Sequence, residues 1–148
     1  MPASSDPTDA VALAGALRPA ILRVSRILRQ QASSVGISAL DALLLGQIRK
    51  YPGVGVSQLA DAERMARPTM SVHVKRLEAA GWIARASDLE DARRSGLTLT
   101  QAGLDALDAV RRERNDWLAA RLALLPPETR AALAEAVEPL LQIADVQP

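Results

Sequence analysis

The chain has 148 residues, enough for one domain or for one domain with an oligomerisation extension. Its 49% apolar residues include no Phe, two Trp and one Tyr, so the core must be aliphatic; the absence of Cys excludes disulfides, thiolate metal sites and a cysteine redox switch within the chain. The formal net charge of +1 selects no partner by itself.

The first eight residues are polar with two prolines and are expected to form a disordered N-terminus. They contain no basic segment leading into an apolar one, so they do not read as a signal peptide, and no later apolar stretch is long enough to span a bilayer. From about Asp9 to Ala32, Leu13, Leu17, Ile21, Val24, Ile27, Leu28 and Gln31 recur at helical spacing, and Pro19 should kink or divide that helix. Ser38, with Asp41 three residues on, predicts a capping-box-like start to a helix that ends at Tyr51-Pro52-Gly53. Val54-Gly55-Val56 is expected to be a short strand. Ser57 is expected to cap the next helix, which runs to about Arg64.

A second helix, Arg67 to Ala80, follows a tight break and is stopped by Gly81. Two β-type runs come next, Trp82–Ala86 and Gly96–Leu99, around the charged loop Ser87–Ser95. Thr100 can cap a long helix, Gln101 to Leu125, and Pro127 opens a last helix to about Ala144, bent by Pro139. The predicted fold class is mainly α with a small β wing: a winged helix-turn-helix over residues 38–100. The amphipathic segments 9–36 and 101–148 are dimerisation helices, and residues 9–148 form a single domain. Such long apolar faces need a partner, and a second copy is the simplest one.

This order of elements places one helix in a DNA major groove with a basic loop beside it. The charge distribution agrees. Residues 64–94 carry seven Arg or Lys against four Asp or Glu, whereas residues 100–148 carry five against eight. At about 100° per residue, Met70, Val74 and Leu77 fall within about 60° of one another and should be buried. Pro68, Val72, Lys75 and Ala79 fall on the opposite side, with Thr69 and Arg76 on the same outward half. Arg67, Thr69 and Arg76 are therefore assigned to base edges or adjacent phosphates. Ser71 and Lys75 go to phosphates, Val72 to a thymine methyl, and Pro68 to the first turn, whose free N–H groups suit a phosphate. His73, the single histidine, and Trp82 are read as packing residues.

The loop adds Asp91, Arg93 and Arg94. An arginine gains from the negative potential of a narrow minor groove, and a neighbouring carboxylate can hold it in place. The run RPTMSVHVKRLEAAGWI followed by DLEDARRSGLTLTQAG resembles the multiple-antibiotic-resistance regulator (MarR) family of bacterial winged-helix transcription factors. The Asp-x-Arg-Arg pattern at Asp91–Arg94 is the most characteristic feature of that likeness. The resemblance implies a cytoplasmic homodimer and a near-palindromic double-stranded operator, most often repressed. It also implies a small aromatic or anionic effector that releases the DNA. Glu63, Arg64 and Ala66 depart from the family pattern, because they remove the usual turn glycine and serine cap before the recognition helix. Met65 is expected to supply the apolar anchor there.

Two other readings follow from the residues. A winged-helix dimer could dock a protein through Pro68, Val72 and Ala79 without specific DNA binding, although Arg67, Lys75, Arg76, Arg93 and Arg94 argue against it. An enzyme would need a nucleophile–base pair, a metal-ligand spacing or a phosphate loop, and none is present; no cofactor is expected.

Overall fold

The computed structural model describes residues 9–87 and 95–146. The expected disordered N-terminus, residues 1–8, and the wing tip with Asp91, Arg93 and Arg94 lie outside the described residues. Two compact units divide at Arg114 and Asn115.

The first unit begins with α1 (Ala10–Gln30), capped by the Asp9 carboxylate, and passes through a short 3-10 turn, Gln31–Val35, to α2 (Ala39–Lys50). Helices α3 (Val56–Ala62) and α4 (Arg67–Ala79) make the helix-turn-helix. Strands β1 (Ile83–Ser87) and β2 (Ser95–Leu99) pair antiparallel, Ile83 opposite Leu99, and α5 (Gln101–Leu122) follows. The second unit holds the end of α5 and α6 (Pro127–Asp145). Mainly helical structure with a small β wing is thus the observed class.

Local chemistry explains most boundaries. The Ser38 hydroxyl accepts from the Asp41 N–H at 3.0 Å, the side-chain cap expected from sequence. Gly81 (φ 78°) ends α4: its N–H bonds to the Glu78 carbonyl and the Trp82 N–H to that of Leu77, so two otherwise orphaned carbonyls are satisfied. Pro19 and Pro139 divide neither α1 nor α6, because the helical bonds on either side of each ring outweigh the one it removes.

Two expectations shift. The cap of α3 is Gly55, not Ser57; the Gln58 amide oxygen accepts from the Gly55 N–H at 2.9 Å and draws the helix start forward to Val56. Of the expected strand Val54-Gly55-Val56, only Val54 pairs with the wing, through a single bridge to Leu97.

The core of the first unit is aliphatic. Leu44, Leu45 and Ile48 of α2 meet Leu59 of α3, then Met70, Val74 and Leu77 of α4, with Ile83 and Leu97 from the wing and Leu107 from α5. Burying each such side chain stabilises the fold by about 1.5–3 kcal/mol before conformational entropy is charged against it. Ala32, Ile37, Ala42 and Val110 form a second cluster, and Trp82 packs against both. The Arg114 Nε donates to the Leu28 carbonyl at 3.1 Å, joining the end of α1 to α5. Burial, and next the like charge of Arg29, lowers the Arg114 pKa.

At the wing root, the Thr100 hydroxyl donates to the Gly81 carbonyl at 2.5 Å and accepts from the Gly103 N–H at 3.1 Å, while the Thr100 N–H donates to the Trp82 carbonyl at 3.0 Å. By contrast, neither α1 nor α6 buries a single residue. Ile21, Leu22 and Val24 of α1 are exposed, as are Leu133, Val137, Leu140 and Leu141 of α6.

Candidate nucleic-acid interface

The recognition helix is held by its inner face. Met70, Val74 and Leu77 are fully buried, as the helical period predicted. That seating turns Arg67, Pro68, Thr69, Val72 and Lys75 to solvent together, with Val72 65% exposed despite its apolar side chain. Ser71 is half-buried on the flank of the same helix. Among the described residues, Arg67 and Lys75 have no carboxylate partner within 4.0 Å, so both charges face water. Pro68 occupies the first turn of α4, where its missing N–H removes no helical bond.

The turn before α4 carries its departures visibly. Arg64 adopts φ 50°, the left-handed conformation usually given to glycine, and Ala66 stands at the N-cap with no side-chain hydrogen bond. Met65 packs against the core and its N–H bonds to the Ala60 carbonyl at 2.8 Å, which holds the turn despite both features. Arg64→Gly should therefore raise stability by about 1 kcal/mol, and Ala66→Ser by about 1 kcal/mol. Urea unfolding of the two single variants checks this, and a loss of stability in Arg64→Gly would contradict the assignment of strain.

Arg76 is placed differently from its neighbours on the helix. Its Nη2 donates to the Asp41 carboxylate of α2, and the same nitrogen lies 3.1 Å from His73 Nδ1. Asp41 is buried, at 6% exposure, so α2 presents a charged anchor to the flank of α4. In the sequence Asp41 stands out only as part of a helix start, since nothing local relates two residues 35 positions apart. His73 is half-buried and Trp82 packs between wing and helices, as expected of packing residues. Arg85 of β1 donates to Glu78 at 2.5 Å and fastens the wing strand to the end of α4.

A shallow groove of about 360 Å³ lies beside this unit, lined by Gln47, Tyr51, Val54, Gln58, Leu59 and Ala62 among others. No group of His, Cys, Asp and Glu among the described residues could hold a metal ion. No helix of the described residues is long and apolar enough to cross a membrane.

Comparison with known proteins agrees with this geometry. Residues 37–95 match the family model described as "MarR family". An HTH-type transcriptional regulator of Mycobacterium tuberculosis is 34% identical over 140 residues, which cover 92% of this chain and 95% of the relative. A related uncharacterised HTH-type regulator of Mycobacterium leprae is 32% identical over the same shares. Among solved structures, a candidate transcriptional regulator from Pseudomonas aeruginosa superposes with a TM-score of 0.82 at 30% identity, over 93% of this chain and 96% of that one. A Staphylococcus aureus MepR mutant bound to an oligodeoxyribonucleotide shares the fold at a TM-score of 0.67 and 19% identity, over 89% and 97% of the two chains.

Proposed function

Because the chain belongs to the MarR family of helix-turn-helix transcriptional regulators, we propose that it is a cytoplasmic, homodimeric repressor that binds a near-palindromic operator and is released by a small aromatic or anionic effector. The observation that carries this reading is the solvent face of α4. Arg67, Pro68, Thr69, Val72 and Lys75 are turned outward by a helix whose opposite side is fully buried. Such a helix can enter a major groove, with Arg67 and Thr69 toward base edges or adjacent phosphates and Val72 against a thymine methyl. Ser71 and Lys75 face phosphates, and the free N–H groups around Pro68 add a phosphate site at the first turn. Arg93 or Arg94 enters the flanking minor groove, positioned by Asp91.

Dimerisation supplies the second half of the site. The exposed apolar faces of α1 and α6 are the surfaces a second copy would cover, and the two recognition helices would then lie about 34 Å apart, one turn of DNA. A mobility shift with the duplex upstream of the coding region, against random competitor duplex, tests the reading. A specific, salt-sensitive complex is expected. Equal binding to random duplex at every salt concentration would overturn it and leave a protein-docking role for the exposed Val72.

The phosphate contact of α4 and the wing carry their own test. Lys75→Ala and Arg93→Ala should each weaken binding to all sequences together and flatten the salt slope by about one ion. Asp91→Ala should also weaken binding, although it removes a negative charge, because Arg93 loses its support. Tighter binding of Asp91→Ala at every salt concentration would show the carboxylate to be only a repulsive surface charge. Thermal shift against phenolic and aromatic acids tests the effector: a ligand should both raise the melting temperature and release DNA.

A further inference from the structure

Asp41 and Arg76 meet where a buried charge of α2 reaches a side chain of the recognition helix. The role of Asp41 in the start of α2 uses only its N–H, which donates to the Ser38 hydroxyl, and leaves the carboxylate to Arg76. The Arg76 Nη2 also stands 3.1 Å from His73 Nδ1, which accepts when the ring carries its proton on Nε2. In that tautomer both hydrogens of Nη2 are engaged inside the protein. A guanidinium makes two-point contacts through either of two edges, Nη1 with Nη2 or Nε with Nη2, and both need Nη2. The side chain remains 51% exposed, so Nη1 and Nε can each offer single hydrogen bonds outward. That suffices for a phosphate oxygen, but not for the paired contact to guanine O6 and N7 that distinguishes a base.

We propose that Asp41 is a positioning residue that sets the kind of DNA contact Arg76 makes: by occupying Nη2 it withholds two-point base recognition and keeps this arginine as a phosphate clamp. Sequence discrimination by α4 then falls to its N-terminal side chains, Arg67 and Thr69 first. This role rests on the reading of α4 as the DNA-facing helix. A merely structural ion pair would alter stability and overall affinity, but not which bases are preferred.

The test is selection from a pool of randomised duplexes by the full-length wild type, Arg76→Ala, Asp41→Ala, Asp41→Asn and the Asp41→Ala/Arg76→Ala double variant. In the wild-type background, Arg76→Ala should lower affinity for all duplexes by a common factor, flatten the salt slope by about one ion, and leave the ranking of bases unchanged. Asp41→Ala should gain a guanine preference at one position per half-site, about 5- to 150-fold over other bases. The double variant should lose that preference. Asp41→Asn keeps the shape at the helix start and guards against an Asp41→Ala chain that does not fold. Its neutral oxygen holds Arg76 less firmly, so it should show the same new preference more weakly. An unchanged base ranking in the Asp41 variants would overturn the role, as would relaxation of a single base position by Arg76→Ala alone. A wild-type chain that selects no duplex would overturn the DNA-binding reading itself, and this role with it, an outcome distinct from either of those.

Discussion

Gly103→Ala should destabilise the chain by about 3 kcal/mol, a fall of roughly 10 °C in melting temperature. A Cβ at this position would lie 2.0 Å from the Trp82 carbonyl oxygen and 2.9 Å from its carbon. The obstacle is backbone, not the end of a flexible side chain. It cannot easily move, since the same carbonyl accepts from the Thr100 N–H and Trp82 packs against both core clusters. Gly103 is itself buried at the start of α5, so relaxing the contact would mean shifting α5 from the wing root. Gly46 is the control. It lies inside α2 with nothing within 4 Å of an added Cβ, so Gly46→Ala should stabilise by about 0.5–1 kcal/mol by restricting the unfolded chain. Thermal and urea unfolding of both variants decide the matter; comparable stability in the two would refute the close approach at Trp82.

Val137→Asp should dissociate the proposed dimer. Val137 is 55% exposed, with Leu133 one turn before it and Leu140 and Leu141 one turn after, which makes an apolar stripe along α6. In a two-fold interface each substitution appears twice. If each carboxylate loses its hydration without a partner, the cost is about 3 kcal/mol per site, and the dissociation constant rises about ten-thousand-fold. Sedimentation at low micromolar concentration reads this directly. The wild type should run as a dimer and Val137→Asp as a monomer or as unfolded chain. A variant that stays dimeric and folded would place the interface elsewhere, and a folded wild-type monomer would remove it altogether.

What could be read from the sequence divides along the range of the interactions involved. Met70, Val74 and Leu77 were assignable to the core because a helix repeats every 3.6 residues, and that period needs no knowledge of the rest of the fold. Ser38, Gly81 and Thr100 were legible as ends for the same reason: a cap bonds to groups within four residues. The departures at Arg64 and Ala66 were visible as missing residue types and reappear as a left-handed arginine and an uncapped helix. The start of α3 was misread by two residues, because Gln58 competes with Ser57 for the local N–H groups and both patterns are plausible on paper.

The contacts that escaped are those between elements. Asp41 pairs with Arg76 only because α2 and α4 share one core, and Gly103 comes close to Trp82 only because the start of α5 lies beside the wing root. Neither relation leaves a periodic trace. On the candidate interface, the outward position of Pro68, Val72 and Lys75 was therefore readable, while the direction of the Arg76 guanidinium was not. The apolar stripes of the first and last helices stood out in the sequence, and side chains of both are exposed, Ile21 and Leu22 on α1 and Val137 and Leu141 on α6 among them.

The bonds of Thr100 have a kinematic consequence. Its hydroxyl joins the residue that ends α4 to the first turn of α5, through the Gly81 carbonyl and the Gly103 N–H, and its own N–H ties both to the base of the hairpin at the Trp82 carbonyl. Three elements with one shared node have no independent joint there. A tilt of the first turn of α5 would strain these bonds unless the end of α4 and the base of the hairpin moved with it. In the proposed dimer, an effector that tilted this node would re-aim the reading head relative to its twin, with a small angle near the pivot becoming a misfit in groove spacing at the far end.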